Sequence, residues 1–475
     1  MRRPKLKRIF AGGLLFGSLM LVYTSITNTL PEDNEVTAGI KGFEKEGAKS
    51  NIKTKSVEKS NKSFLPGSYR VWGFSNDIFL LSVVLGNSSS GHVWDHITIQ
   101  GWEHLKYEKT SIICCILYKS GSIQSVNTTS KLRWTLDKNT KMVAKQYVCP
   151  NHVDGLKDPP KAVTISGGTK PTCHRRHSWY LRPHYAQAHK KEIAVCTKVV
   201  SRNALADDIL AWFEVHRRLG VKKVLVYTYD IDPSVGKILQ HYKSVGMAEL
   251  ISFRLPQKSH EDLKLRSSLN ASIGRECTFA YQGELGPKDI QAWNIEQTLM
   301  NDCLVRLNGY KHVVVLDVDE YLIPIKAKTW PELFDNLWKK SPNAAGFSFK
   351  VNIHVTSGAV TNTISKFTAG KYTNRTGALA ERMKHVIRPD RLPAGGLSTN
   401  SFTSGKGYRG FWVSEADATV HHFRSCKTSN DWDKDIDKTC QNPGRFRDMS
   451  VANILAPLEN GVMKLKASIL NNGHH

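Results

Sequence analysis

The stretch His312-Val313-Val314-Val315-Leu316-Asp317-Val318-Asp319-Glu320-Tyr321-Leu322-Ile323-Pro324 decides the fold of this chain. Its branched and leucine residues at 313–316 are typical of a strand that is buried on both faces, and they end in carboxylates. Because side chains alternate along an extended backbone, we expect Asp317 and Asp319 on one side and Glu320 on the other. Two carboxylates on one side at the end of a strand predict a site for a hard divalent cation, Mn²⁺ or Mg²⁺. The alternative is a solvated acidic turn after a core strand.

Strand and helix patterns alternate in the residues before this stretch. The predicted elements are a strand at 193–200, a helix at 205–219 ended by Gly220, a strand at 221–229, a helix at 234–245 ended by Gly246, a strand at 247–253 and a helix at 289–307. Such alternation predicts a doubly wound, mostly parallel α/β sheet. The acidic pair would then lie at the mouth of the sheet, where open α/β sheets bind nucleotides.

The N-terminus has the pattern of a membrane anchor. Residues 1–8 are rich in Arg and Lys, and residues 9–26 are uncharged and mostly apolar, which is just long enough to span a bilayer. The basic flank predicts a cytosolic N-terminus and a lumenal body. A cleaved signal peptide is the alternative, although Thr24-Ser25-Ile26-Thr27 is only a weak cleavage site.

The charge of the chain points to polyanionic ligands. A formal net charge of +25 is typical of proteins that bind nucleic acid, heparin-like glycans or phosphorylated ligands. A lumenal body excludes genomic nucleic acid as a partner. Glycans and phosphorylated ligands therefore remain.

The cysteines agree with a lumenal location. None of the nine has C-x-x-C spacing, so we expect disulfides with one free thiol rather than a zinc site. Cys426 with Cys440 is the pair that we predict first, because it closes a short polar loop. N-x-S/T triplets typical of a secreted glycoprotein occur at Asn61, Asn87, Asn127, Asn270 and Asn374.

Composition divides the chain into segments. Residues 64–190 contain short apolar runs between Gly, Ser and Asn clusters, which predicts a β-rich module such as a small sandwich. Residues 27–63 are too poor in large apolar residues to fold and predict a stem. The predicted segments are a cytosolic tail (1–8), a transmembrane signal anchor (9–26), the stem (27–63), the lumenal β-rich module (64–190), an α/β domain (191–445) and a C-terminal helical tail (446–475).

Several short segments between residues 192 and 424 form an ordered pattern. They are Val195-Cys196-Thr197-Lys198, Trp212-Phe213-Glu214-Val215-His216, Leu219-Gly220-Val221, the segment 297–306, the acidic stretch 316–324, Lys384-His385-Val386-Ile387-Arg388-Pro389 and His421-His422-Phe423-Arg424. This pattern resembles glycosyltransferase family 92. The resemblance implies a GT-A fold in a single-pass type II Golgi membrane enzyme. It also implies transfer of galactose, with inversion, from UDP-galactose to a glycan acceptor on a glycoprotein or glycolipid.

The resemblance gives roles to the acidic residues. In sugar transfer the acceptor hydroxyl attacks the anomeric carbon while the diphosphate leaves with growing negative charge, which a divalent cation stabilises. We assign Asp319 to the cation and Asp317 to the ribose or, through water, to the cation. By likeness to GT-A enzymes, His422 would complete the cation or diphosphate site. The alternative for His422 is a structural histidine in a strand.

Other polar residues are candidates for donor binding and proton transfer. Lys384 and Arg388 could neutralise the diphosphate, or they form a solvated basic edge. Asp230 ends the second predicted strand and could contact the uridine, or it belongs to a plain turn. An inverting reaction also needs a general base. The candidates, among which the sequence does not choose, are Glu320, Glu381, Asp390, Glu415 and Asp417.

Two other functions compete with sugar transfer. A haloacid-dehalogenase-like phosphatase also has an aspartate pair after a buried strand, but its D-x-D-x-T pattern has Thr where this chain has Tyr321. Its aspartates also usually follow the first strand of the domain, whereas three predicted strands precede them here. A membrane-tethered glycan-binding ectodomain without catalysis would explain the positive charge.

Overall fold

The computed structural model describes residues 69–70, 78–86, 96–105, 110–136, 142–151, 158–168, 170–174, 180–186, 189–200, 204–229, 231–253, 296–357, 359–425, 444 and 446–471. All of them belong to a unit that spans Phe64–His475. The predicted cytosolic tail, signal anchor and stem lie outside the described residues. Among the described residues, no helix is both long enough and apolar enough to cross a membrane.

The N-terminal part of the described chain is a β-sandwich. Its strands are β1 (Tyr69–Arg70), β2 (Ile78–Gly86), β3 (His96–His104), β4 (Ile112–Tyr118), β5 (Ile123–Asn127), β6 (Ser130–Leu136), β7 (Met142–Pro150), β8 (Pro160–Gly167) and β9 (His184–Tyr185). One sheet has the order β1-β2-β3-β7-β6 with β9 beside β2, and the other has the order β5-β4-β8. Buried apolar side chains from both sheets form one cluster. Each sheet therefore buries one of its faces in the core between the two sheets.

The C-terminal part is an α/β domain. Its elements are β10 (His189–Val200), α1 (Ala206–Arg218), β11 (Lys223–Thr228), α2 (Pro233–Ser244), β12 (Ala248–Ser252), α3 (Glu296–Arg306), β13 (Tyr310–Leu316), β14 (Glu320–Pro324), α4 (Trp330–Lys340), β15 (Ala344–Val355), α5 (Thr368–Lys371), β16 (Asn374–Arg375), β17 (Leu379–Ile387), a 3₁₀ turn (Pro389–Arg391), β18 (Arg409–Trp412), β19 (Ala418–Arg424), β20 (Phe446–Arg447), α6 (Ser450–Leu455) and α7 (Glu459–Asn471).

Local chemistry explains where the first helices begin and end. Gly220 follows α1 with φ 102° and Gly246 follows α2 with φ 77°, a conformation that glycine adopts without strain. The Asp232 side chain accepts a hydrogen bond from the Ser234 amide and so caps the start of α2. These stops are the ones that the sequence predicts.

The large sheet of this domain is mixed rather than mostly parallel. Strands β12, β11, β10 and β13 are parallel neighbours, as expected from the strand and helix alternation. Strand β17 then pairs antiparallel with both β13 and β15, and β14 pairs antiparallel with β19. The prediction of a mostly parallel sheet is therefore wrong beyond β13. Antiparallel neighbours need no crossover helix, and the only helix among the described residues between β15 and β17 is the four-residue α5.

Helix α3 lies between the sandwich and the large sheet. Leu299 of α3 shares one buried apolar cluster with Trp102 of β3 and with Val313 of β13. Asp302 of α3 also accepts a hydrogen bond from the Ser82 hydroxyl of β2. The β-rich module thus packs directly on the α/β domain.

Three disulfides join elements that are distant in sequence. Cys114–Cys149 connects the two sheets of the sandwich, and Cys115–Cys173 fixes the segment that follows β8. Cys196–Cys303 joins β10 to α3. The predicted pair Cys426 and Cys440 lies outside the described residues.

Candidate functional site

The acidic stretch leaves the sheet in a turn. Strand β13 ends at Leu316, and β14 begins at Glu320. The Glu320 amide donates to the Asp317 carbonyl at 3.1 Å, which closes the turn. The expectation that an extended strand would hold Asp317 and Asp319 on one side is therefore wrong, because alternation of side chains applies only while the backbone stays extended.

Glu320 reaches back into this turn. Its Oε2 accepts a hydrogen bond from the Asp317 amide at 2.9 Å. Lys384 of β17 places its Nζ 3.1 Å from Asp317 Oδ2 and 3.1 Å from Glu320 Oε1. The Lys384 and Glu320 side chains are 3% and 1% exposed. Burial raises the pKa of the Glu320 carboxyl and Asp317 raises it further, while Lys384 acts in the opposite direction.

His422 connects Glu320 to the second aspartate. Strands β14 and β19 pair so that Glu320 lies opposite His422. His422 Nδ1 lies 3.4 Å from Glu320 Oε1, and its Nε2 lies 3.3 Å from Asp319 Oδ2. The ionisable side chains therefore form a continuous row in the order Asp317, Lys384, Glu320, His422, Asp319, which we call the charged row. Pairing of strands that are far apart in sequence brings its members together.

A small cavity lies beside the Asp319 end of the charged row. We call it the site cavity. Its walls come from the turn, from the start of α1, from α5 and from the paired strands β14 and β19. The lining residues are Ala204, Leu205, Asp208, Ile209, Val318, Asp319, Tyr321, Thr368, Ala369 and Phe423. The Asp319 side chain is 37% exposed, which makes it the open end of the row.

Asp208 is a second carboxylate of the site cavity that the sequence reasoning missed. It lies in the first turn of α1, and its Oδ1 accepts a hydrogen bond from the Thr368 amide at 3.0 Å. Burial raises the pKa of its carboxyl, and the hydrogen bonds from Thr368 oppose that effect. Acidic residues in the first turn of a helix are ordinary, so only the contact with Thr368 and the cavity distinguishes Asp208.

The remaining predicted site residues do not join the charged row. Arg388 lies toward the start of β13, because Ile387 pairs with Val313 there, and its guanidinium binds Asp390 at 2.8 Å. Glu381 is exposed on β17, three residues before Lys384. Asp230 lies outside the described residues.

The other candidate bases pair with cationic side chains near the surface. These pairs are Asp390 with Arg388, Glu415 with Lys350 and Asp417 with Lys326. None of the three lines the site cavity. Their positions give no support for a role in proton transfer at Asp319.

A family model supplies the decisive comparison. The model of glycosyltransferase family 92 matches residues 191–459, more than half of the chain. The chain belongs to glycosyltransferase family 92. The family 92 region contains the whole charged row and every residue of the site cavity. Membership supports a function in glycosyl transfer.

Comparison with other proteins adds little beyond the family. No curated protein matches the sequence significantly. One similar solved structure is the apo structure of the bifunctional glycosyltransferase WbbM, with 13% identity over 40% of this chain and 26% of that chain and a TM-score of 0.20. Amylomaltase from Corynebacterium glutamicum has 11% identity over 28% of this chain and 19% of that chain, with a TM-score of 0.13. Purple acid phosphatase PPD1 from yellow lupin (Lupinus luteus) seeds has 10% identity over 46% of this chain and 40% of that chain, with a TM-score of 0.17. This chain covers less than half of each, and likenesses with such TM-scores carry no argument.

The family 92 site offers two side chains to a divalent cation. Asp319 Oδ2 and His422 Nε2 are neighbours at the cavity edge, and carboxylate oxygen with imidazole nitrogen suits Mn²⁺. Asp317 Oδ2 is bound to Lys384 instead. Nowhere in the described part of the chain do three or more His, Cys, Asp or Glu residues form a group that could hold a metal ion. Asp319 and His422 could thus supply two ligands to a cation, and substrate phosphates and water would have to supply the others.

Proposed function

We propose that this protein is a metal-dependent, inverting galactosyltransferase that transfers galactose from UDP-galactose to a glycan acceptor on a glycoprotein or glycolipid. The contact between Asp319 and His422 carries the proposal, since it presents two cation ligands at the edge of a cavity. That cavity adjoins the C-terminal end of a parallel strand, where open α/β sheets bind nucleotides.

The reaction would replace one bond at the anomeric carbon by another. The acceptor hydroxyl oxygen bonds to that carbon on the face opposite the leaving group. The bond to the diphosphate oxygen breaks, UDP leaves with the electron pair, and the hydroxyl proton passes to a base. Glu381 is our candidate for this base, because it is exposed and lies on the same strand as Lys384, three residues before it. Glu320 is too buried to reach an acceptor and instead supports the turn.

Each member of the charged row has a proposed part in donor binding. Asp319 and His422 would hold Mn²⁺, or Mg²⁺, which when bound neutralises charge that develops on the diphosphate. Lys384 fixes Asp317 at the turn, and Asp317 would accept a hydrogen bond from the ribose. Asp230, which follows β11, remains a candidate for the uridine. Arg388 lies at the other end of β13 and would not reach the diphosphate.

The proposed location is the Golgi lumen, with one N-terminal membrane span in type II orientation. The apolar stretch at 9–26 and the three disulfides support it, because disulfides persist in oxidising compartments. Asn127 and Asn374, two of the predicted glycosylation sites, are exposed. Nucleic acid is no partner in this proposal.

Sugar-nucleotide turnover by the full-length chain in detergent tests the proposal. We expect release of UDP from UDP-galactose, and faster release with a glycan acceptor, only when Mn²⁺ or Mg²⁺ is present. Asp319→Asn should lower turnover by about 100-fold or more, because loss of a metal-site contact commonly costs that much. Asp335→Asn, which changes an exposed carboxylate paired with Lys311, is the matched control. Full turnover in EDTA, or by Asp319→Asn, would refute the metal assignment.

The same preparations separate the competing functions. A phosphatase would release inorganic phosphate from a phosphate ester. A glycan-binding ectodomain would bind a polyanion such as heparin in a salt-sensitive way, and this binding would survive loss of both Asp317 and Asp319. Absence of turnover with every sugar nucleotide, together with either result, would replace the transferase proposal.

A further inference from the structure

Asp208, which lines the site cavity, has a buried acceptor atom that neither the charged row nor the proposed cation site uses. Asp208 contributes to the cavity wall from the start of α1, and Asp319 contributes from the turn. One oxygen of Asp208, Oδ1, is occupied by the Thr368 amide at 3.0 Å. The other oxygen, Oδ2, is buried and has no hydrogen-bond partner among the residues that the structure describes.

Such an atom needs an explanation. A buried oxygen without a partner loses its hydration and receives nothing in return, a cost of about 1–3 kcal/mol or more for a charged group. Native structures contain few of them, and those that persist often belong to a binding or catalytic site. The amide of Thr368 could have been bound by an uncharged side chain. The second oxygen of this carboxylate is therefore available to a hydrogen-bond donor of a bound ligand.

The side chains on the rest of the cavity wall are of the kinds that contact sugar rings. Tyr321 and Phe423 give it aromatic surface, and Ile209 and Ala369 give it aliphatic surface. Ligand sites typically combine such apolar walls with a few polar groups that fix orientation. A pyranose carries both apolar C–H groups and hydroxyl donors, so it matches this combination.

We propose that Asp208 Oδ2 accepts a hydrogen bond from a hydroxyl of a substrate sugar ring bound in the site cavity. This inference rests on the proposed transferase function and assigns one residue to substrate recognition. The hydroxyl belongs to the transferred hexose, to the ribose of the nucleotide or to the acceptor sugar. These three sources share the same chemistry, and binding measurements distinguish them.

Asp208 also has a structural contact, which the test must separate from recognition. Its Oδ1 holds the amide of Thr368, the first residue of α5. Asp208→Asn keeps an oxygen for that amide and keeps the side-chain volume, but it replaces the free acceptor by an NH₂ group. Asp207→Asn is the matched control, because Asp207 is the adjacent carboxylate, pairs with Lys466 and does not line the cavity.

The experiment compares full-length parent, Asp208→Asn, Asp208→Ala and Asp207→Asn. Calorimetry with Mn²⁺ gives the Kd for UDP and for UDP-galactose, initial rates give the KM for a glycan acceptor, and thermal unfolding gives the Tm. We expect about a 10-fold loss for Asp208→Asn and about 100-fold for Asp208→Ala in the step that uses the hydroxyl, since hydrogen bonds to charged groups are strong. The Asp207→Asn values and the Asp208→Asn Tm should match those of the parent.

The pattern of losses identifies the hydroxyl. Weaker binding of UDP-galactose with unchanged UDP binding assigns it to the transferred hexose, and equal weakening of both assigns it to the ribose. A higher acceptor KM with unchanged nucleotide binding assigns it to the acceptor. Values within twofold of the parent for both Asp208 variants overturn the inference, as does a uniform loss that accompanies a lower Tm in Asp208→Asn. A parent that binds neither UDP nor UDP-galactose overturns the transferase proposal itself.

Discussion

At the scale of single residues, the charged row explains how a fully buried glutamate is tolerated. Glu320 lies between Lys384 and His422, while Asp317 and Asp319 lie at the two ends. Negative and basic side chains therefore alternate along the row. A buried carboxylate is costly unless its partners offset the loss of hydration. Lys384 contacts both Asp317 and Glu320, and His422 contacts both Glu320 and Asp319.

We predict that Lys384→Met destabilises the fold even though methionine keeps most of the side-chain volume. Loss of the ammonium group leaves Glu320 and Asp317 without their shared cation, and breaking one half of a buried pair costs about 3–5 kcal/mol. Urea unfolding measures the loss. Lys350→Met, which removes an exposed lysine paired with Glu415 at 2.8 Å, should cost under about 1 kcal/mol. Equal effects of the two variants would show that Lys384 does not support the row.

Residue types could be predicted from the sequence better than residue positions. The acidic stretch and the His422 segment carry the family pattern, so Asp319 and His422 could be selected together although they lie 103 positions apart. Their orientation could not, because the chain turns at Asp317. Asp208 could not be selected from the sequence, because its hydrogen bond with the Thr368 amide joins residues that lie 160 positions apart. Contacts of that kind exist only once the strands have paired.

At the scale of elements, α3 is the structural link between the sandwich and the sheet that carries the site. Asp302, fully buried within it, accepts hydrogen bonds from Ser82 of β2 and from Tyr227 of β11, the latter at 2.7 Å. Arg306 donates to the same carboxylate at 2.8 Å. One carboxylate therefore connects a strand of the sandwich to a strand of the large sheet.

We predict that Asp302→Asn weakens this link. The amide keeps the shape but removes the charge that offsets buried Arg306, at a cost of about 3 kcal/mol or more. Urea unfolding should show the loss, and hydrogen exchange should show reduced protection of the β2 amides near Ser82. The exposed Asp335→Asn variant should change neither measurement. Unchanged protection of β2 would mean that apolar packing alone holds the sandwich on α3.

Local patterns could predict the first elements of the α/β domain but not the pairing of the later strands. Helices α1 and α2 end at the glycines that the sequence marks, and the first four strands of the sheet are parallel as expected. Beyond β13 the regular alternation of strand and helix patterns ends. Apolar runs predict that a segment is a strand but do not predict which strand it pairs with. The antiparallel return of β17 is what delivers Lys384 to the turn.

At the scale of the whole molecule, the fold buries several histidines away from water. Burial is the main cause that lowers the pKa of each one, to about 4 for His421 and to about 3 for the others. These residues are His216, His312, His354, His385 and His421. They lie on different strands and helices, so acid affects the α/β domain as a whole rather than at one place.

We predict that the free energy of unfolding falls as the pH falls from about 6.5 toward 4. The unfolded chain binds a proton at each histidine near pH 6.5, whereas the folded chain does not, so the stabilisation is complete above 6.5 and is lost below it. Asp208 and Glu320, whose pKa values are raised, act in the opposite direction but are fewer. Urea unfolding at several pH values measures the slope. His312→Leu should reduce it by up to about 1.4 kcal/mol per pH unit, the contribution of one proton, because His312 packs against Trp338 as a neutral ring. A stability that is constant between pH 7 and 5, or an unaltered slope in His312→Leu, would contradict this account of the buried histidines.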